Sequence, residues 1–241
     1  MDSGIYSAAT GLQGSLQAQD VTSHNLANVN TPGYKRRLAV FQPFQAQLAA
    51  QAGSLAGTEL NGVVVDYTRG PMQQTGNRLD LALNCDGFFV LRGAEGQVYT
   101  RQGAFTLSQE GNIVDSVGRP LLSTGGSEIR IPTITREIRV NQDGSVLADG
   151  ASVGRISVVD VPAPRALVPA AYTAFALAPG APAPEPVAHP TVAQGALEGS
   201  NANAVEEMVS MITTLRGFEA SQRVLRSIDE NLDRLNQTAS K

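Results

Sequence analysis

Residues 79–100 read Leu-Asp-Leu-Ala-Leu-Asn-Cys-Asp-Gly-Phe-Phe-Val-Leu-Arg-Gly-Ala-Glu-Gly-Gln-Val-Tyr-Thr. Leu79, Leu81 and Leu83 alternate with Asp80 and Ala82, a period of two that predicts a half-buried strand. Phe88-Phe89-Val90-Leu91 is a short apolar run that suits a buried strand. Gly93-Ala94-Glu95-Gly96 then turns the chain into Val98-Tyr99-Thr100, which predicts a hairpin. Further short strands are expected at Phe105–Leu107, Ile113–Val114, Ile129–Ile131, Ile138–Val140, Val146–Leu147 and Ile156–Val161. Gly111-Asn112, Gly118-Arg119-Pro120, Asp143-Gly144 and Asp149-Gly150 separate them. Short strands punctuated by Gly and Asp-Gly turns define an antiparallel β region, here from about 63 to 178. Residues 162–190 hold eight of the thirteen prolines. Their composition predicts an extended, stiff connector, above all over Ala181–Pro186.

Both ends of the chain carry helical periodicity instead. Ile5, Ala8, Ala9, Leu12 and Leu16 place a narrow apolar face on an N-terminal helix. Gly11 and Gly14 lie inside it, each costing about 1 kcal/mol relative to Ala. The helix should stop near Asn25 to Asn28, because Thr31-Pro32-Gly33 enforces a turn. At the other end Ser200, Asn201 and Asn203 are N-cap candidates, and Glu206 and Glu207 suit the positive end of a helix dipole. Val205, Met208, Ile212, Leu215, Phe218, Leu225, Ile228, Leu232 and Leu235 follow in steps of three or four, interrupted only where Gln222 makes the seam polar. That is a coiled-coil-like seam. The fold class is therefore α+β: an antiparallel β-rich centre flanked by two amphipathic helices that can pair. A two-helix hairpin leaves apolar stripe on both partners, which neighbouring copies could bury. Alternatively the helices cap the β domain of a monomer.

Composition excludes several functions. Eighteen Lys and Arg stand against 22 Asp and Glu, with no basic stripe for nucleic acid. The one tight basic cluster, Lys35-Arg36-Arg37, reads as a solvated loop. No stretch approaches the roughly 20 apolar residues of a membrane helix. The opening residues lack the charged and apolar regions of a cleavable secretory signal. Cys85, His24 and His189 fall in three separate zones, so neither a metal site nor a nucleophilic site is expected. Asp80, Asp86, Asp115, Asp143 and Asp149 sit mostly in turns, where short-range hydrogen bonding accounts for them. No phosphate-binding glycine loop is present, and no cofactor is implied.

Asn25-Leu26-Ala27-Asn28-Val29-Asn30-Thr31-Pro32-Gly33-Tyr34-Lys35-Arg36 resembles the N-terminal signature of the flagellar axial proteins, the family of rod and hook subunits. Leu197 to Val209, with Asn201 and Asn203, is similar to the family's C-terminal signature. Leu79–Leu83, Asp86-Gly87-Phe88-Phe89, Tyr99-Thr100-Arg101 and Gly103-Ala104-Phe105 resemble its β domain. The opening Met1-Asp2 and the short length look most like the proximal rod subunits, with the distal rod subunits next. Asn84-Cys85 and the proline-rich connector depart from the pattern.

The resemblance implies a structural subunit with no catalytic activity. Such a chain is made in the cytoplasm, exported by the flagellar type III apparatus and polymerised into the rod that spans the periplasm. Its partners would be other copies, neighbouring rod proteins and the export apparatus, with no nucleic acid and no membrane insertion. Residues 1–40 would form the N-terminal assembly helix and turn, 41–195 the outer β-rich domain, and 196–241 the C-terminal assembly helix. Ile5, Leu12, Leu16, Leu26, Tyr34, Met208, Ile212, Leu215, Phe218, Leu225, Ile228 and Leu232 would be assembly contacts. Asn25, Asn28, Thr31, Pro32 and Gly33 would set the turn, and Asn201 and Asn203 the start of the last helix. The competing readings are a monomeric β-domain surface binding module and a carbohydrate-active enzyme.

Overall fold

A computed structural model describes residues 2–43, 58–162 and 166–239, with side chains for 9–40, 62–162, 166–228 and 230. The chain divides into two compact units. The first takes residues 1–29, 36–66 and 202–241; the second takes 30–35 and 67–201.

In the first unit, helix α1 spans Asp2–Ala27 and helix α2 spans Ala204–Ala239. Strands β1 (Arg37–Pro43) and β2 (Thr58–Val65) pair antiparallel, with an irregularity between Val40 and Phe41. α1 stops where expected: the Asn28 and Val29 amides turn back onto the Asn25 and Leu26 carbonyls. α2 begins at Asn203, whose Oδ1 accepts from the Val205 amide at 3.0 Å, satisfying one of the orphan donors of the first turn.

The helices meet through small residues. Gly11, Gly14, Ser15 and Ala18 of α1 face Thr214, Gly217 and Ser221 of α2 around a cleft of about 390 Å³. Gly11, Gly14, Ala18, Val21 and Asn25 recur in steps of three or four on the buried or half-buried face of α1. Met211, Thr214, Phe218, Ser221, Leu225 and Ile228 do so on the half-buried face of α2. A Cβ at Gly11 would meet only the Ser221 hydroxyl, at 4.0 Å, and one at Gly217 nothing, so the small residues leave open space between the helices here.

The second unit is all β. Its largest sheet is antiparallel, in the order β13 (Leu167–Pro169), β14 (Ala174–Leu177), β6 (Gly96–Thr100), β5 (Phe88–Gly93), β12 (Val158–Asp160), β15 (Glu185–Pro186). A three-stranded sheet runs β11 (Ala151–Arg155), β10 (Ser145–Ala148), β9 (Ile138–Val140). Three two-stranded ladders complete it: β16 (Val192–Gln194) with β4 (Leu81–Leu83), β17 (Ala196–Glu198) with β3 (Met72–Gln74), and β7 (Thr106–Leu107) with β8 (Ile113–Val114). The core gathers Leu81, Leu83, Phe89, Leu91, Phe105, Ile113, Leu121, Ile129 and Ile156. Phe89 and Phe105 cross edge to face at 5.5 Å. The predicted hairpin is present, with Gly93 opposite Gly96.

Three expectations are corrected. β4 covers only Leu81–Leu83 and is buried throughout, Ala82 included; its alternation with Asp80 misleads because Asp80 is itself buried and accepts from Thr75 Oγ1 at 2.6 Å and Asn77 Nδ2 at 3.0 Å. Ile129 and Ile131 are buried, but the segment forms no strand beyond a bridge from Asn112 to Arg130. The segment 162–190 is no free connector: it supplies β13, β14 and β15 of the large sheet, because Leu167, Ala174 and Phe175 bury their side chains between the prolines. Pro169 and Pro186 fall on the sheet's two outer strands, where a missing N–H is tolerated.

Tyr67 packs edge-on against Phe88 and Phe175, at 5.9 and 5.4 Å. Burial pushes its phenol up to about 12 from 10.0. The folded state holds the proton more tightly than the unfolded one. The resulting stabilisation is therefore complete below pH 10.0 and is lost as pH rises towards about 12. With no Trp to interfere, tyrosinate absorbance should show a latest-titrating group that disappears in Tyr67→Phe, leaving the smaller upward shift that burial gives Tyr99. Titration of all five tyrosines at the ordinary value in the folded chain would contradict this packing.

Candidate assembly site

Asn25 is buried at the end of α1, its amide locked onto the backbone of Arg37. Nδ2 donates to the Arg37 carbonyl at 2.8 Å and Oδ1 accepts from the Arg37 amide at 2.9 Å. Asn28 Nδ2 donates to the His24 carbonyl at 2.8 Å, satisfying one of the open carbonyls of the last turn. Leu26 is half-buried beside them.

The second unit holds the rest of the signature. The Tyr34 amide donates to the Thr31 carbonyl at 3.2 Å, closing a turn with Pro32 and Gly33 at its centre. Gly33 has φ +68°, and a Cβ there would overlap the backbone of Arg101 and Gln102. Its amide donates to the Glu198 carbonyl at 2.7 Å. Tyr34 is buried, and its carbonyl accepts from the Asn201 amide at 3.4 Å. Asn201 Nδ2 reaches the carbonyl and hydroxyl of Thr68, each at 3.1 Å.

Beneath this turn lies a buried charge cluster. Lys35 Nζ lies 2.6 Å from Glu198 Oε1 and also donates to the Thr68 carbonyl at 2.7 Å. Arg101 Nη1 lies 3.2 Å from Glu198 Oε2; its Nη2 donates to the Cys85 carbonyl at 2.9 Å. The Arg101 guanidinium rests 5.5 Å from the Phe88 ring centre. The Gly70 amide completes the shell of Glu198 at 3.0 Å. In the first unit Arg36 Nε pairs with the buried Glu207 at 2.6 Å and its Nη1 with the exposed Glu206 at 3.4 Å. The two ends of the chain are thus tied by adjacent cations, one in each unit.

That tie corrects the solvated-loop reading of Lys35-Arg36-Arg37. Lys35 is buried and Arg36 largely covered, because each faces a carboxylate on the C-terminal segment. Sequence reasoning gave Glu207 only a helix-dipole role and Glu198 and Arg101 only a place in the resemblance, and missed all three as ion-pair partners. The available signal was weak: Glu198 directly follows Leu197 in a stretch otherwise free of charge.

The remaining sequence-predicted residues sort into two faces. Phe218, Leu225 and Ile228 lie on the half-buried stripe of α2, and Leu12 is half-buried on α1. Leu16, Met208, Ile212 and Leu215 are exposed, together with Val205 and Val209. Asn203 caps α2 from an exposed position. Ile5 and Leu232 are helical, and their side chains lie outside the described residues. The exposed apolar stripe of α2 is therefore rotated by about one residue, near 100°, from the stripe that faces α1.

Cys85 packs against the core, its Sγ accepting from the Thr191 amide at 3.4 Å. His24 and His189 are exposed. Among the described residues no group of His, Cys, Asp and Glu could hold a metal ion, and no helix is long and apolar enough to cross a membrane.

An antiparallel β unit with a buried charge cluster, and a pair of terminal helices that carry exposed apolar stripes, point to a structural protein. The comparisons name its kind. Residues 5–35 match the family described as Flagella basal body rod protein, 82–148 the Flagellar hook protein FlgE/F/G D1 domain, and 193–238 the Flagellar basal body rod FlgEFG protein C-terminal. The chain is 32% identical to the flagellar basal-body rod protein FlgF of Caulobacter vibrioides, over 98% of its own length and 100% of the relative's. It is 32% identical to FlgF of Escherichia coli, over 100% and 99%. It is 31% identical to the flagellar basal-body rod protein FlgG of Agrobacterium fabrum, over 92% and 94%. The chain belongs to the flagellar basal-body rod protein family, whose members are structural and not enzymes.

Proposed function

We propose that this chain is a rod subunit that polymerises through α1 and α2 with other copies and with neighbouring rod proteins, forming a tube that carries torque. One observation carries the reading. The two helices use small residues against each other, while Val205, Met208, Val209, Ile212 and Leu215 of α2 and Leu16 of α1 stay exposed. Each large side chain contributes about 1.5–3 kcal/mol when buried. A coiled-coil-like bundle shared between subunits would gain that contribution; an isolated subunit does not. Heterologous contacts that fail to close give an open helical tube. In this proposal residues 1–40 and 196–241 form the assembly region and 41–195 face outward. The glycines in α1 keep that helix marginal alone, which suits threading through the flagellar type III apparatus before assembly. The FlgF relatives, 32% identical over almost the whole chain, favour a proximal position in the rod, with the distal position of the 31% identical FlgG relative the alternative.

The test is complementation of a strain lacking the gene, scored by electron microscopy of basal bodies and by swimming. Ile212→Asp/Leu215→Asp should leave rods absent or truncated while the purified chain keeps its thermal transition, since both positions are exposed. Intact rods and normal swimming with this variant would defeat the proposal and favour a monomeric surface module.

A further inference from the structure

A second concave site lies in the β unit, lined by none of the residues of the charge cluster. It is a cleft of about 690 Å³ walled by residues 74–78, 136–139 and 193–196. Arg78, Arg136 and Arg139 line it against a single acidic residue, Glu137. The cleft is therefore cationic in a chain of net charge −4.

Its walls are braced from within. Gln194 Oε1 accepts from the Val140 amide at 3.1 Å, while its Nε2 donates to the carbonyls of Arg78 at 2.8 Å and Ile138 at 3.0 Å. One side chain thus joins all three walls. The Thr75 and Gly76 amides donate to the Gly195 carbonyl at 2.8 and 3.1 Å. The Arg136 and Glu137 amides donate to the Asp149 carboxylate at 3.1 and 2.9 Å. Arg78 Nη1 donates to the Arg136 carbonyl at 3.0 Å. Gly76 and Gly195, both at positive φ, lie against each other with no side chain to fill the space. The shape is preformed, which lowers the ordering cost of binding.

We propose that this cleft binds an acidic protein segment through its arginines. Guanidinium forks match carboxylates two bonds at a time. The Arg139–Glu137 pair, 3.1 Å long and mostly exposed on both sides, is weak enough to exchange for a ligand carboxylate. A nucleic acid fits less well, because the lining has no aromatic side chain on which a base could stack. The inference stands independently of the rod assembly proposal.

The test is fluorescence anisotropy of the full chain with a short labelled peptide of alternating Asp and Glu, at low and raised salt. Saturable binding that weakens with salt is expected, with about a tenfold loss in Arg78→Ala/Arg136→Ala. The control Arg92→Ala/Arg130→Ala, exposed arginines outside the cleft, should bind as the parent does. No binding by the parent chain, or equal loss in both variants, would overturn the site. Tighter binding of single-stranded oligothymidylate than of the acidic peptide would overturn the choice of a protein ligand.

Discussion

Glu198→Ala is expected to lower the unfolding free energy of the full chain by about 3–5 kcal/mol, the range found when one partner is removed from a buried ion pair. The carboxylate is 1% exposed and stands between two cations, Lys35 and Arg101, that are nearly as covered. Its removal leaves both charges in a low-dielectric setting and also strips the Gly70 amide of its acceptor. Lys35→Met is the informative companion. It leaves one cation opposite one carboxylate and fills the vacated space with an apolar side chain, so its loss should be clearly smaller. Urea unfolding followed by circular dichroism reads both. A Glu198→Ala loss no larger than that of Lys35→Met would show that the cluster is not held by the carboxylate.

Gly33→Ala is expected to cost about 3 kcal/mol, combining a left-handed backbone at about 1–2 kcal/mol with overpacking at about 1–3 kcal/mol. The two contributions separate by comparison with Gly126→Ala. Gly126 has φ +76° but open space around its absent Cβ, so only the conformational part should appear there. At Gly33 the new methyl would press on the backbone at Arg101 and Gln102, which cannot yield as a side chain can. Equal losses at the two positions, measured by the same unfolding experiment, would mean that the close approach at Gly33 relaxes freely.

Local patterns made much of this architecture legible. The hairpin around Gly93 and Gly96, the stop of α1 before Thr31-Pro32-Gly33 and the cap at Asn203 all rest on residues within a few positions of one another. What stayed hidden depends on distant partners. Lys35 looks solvated until Glu198 is brought 2.6 Å away. Asp80 looks like the polar side of a strand until Thr75 and Asn77 turn onto it. The prolines of 162–190 signal an extended chain, which is correct locally. They say nothing about the sheet edges that chain completes. In α2 the apolar residues form one apparent seam by spacing. In the structure they divide: Phe218, Leu225 and Ile228 are half-buried with Thr214 and Ser221, while Met208, Ile212 and Leu215 stay exposed, a split that spacing alone does not reveal. Strands β1 and β2 left no clear periodic signal, and their apolar residues Leu38, Val40, Val63 and Val64 remain largely exposed.

The chain leaves one unit for the other after Val29, after Lys35, after Asp66 and after Asn201. Four backbone strands therefore link the units, where a simple pair of domains has one. A single cut in any of them leaves three intact, so the units stay covalently joined.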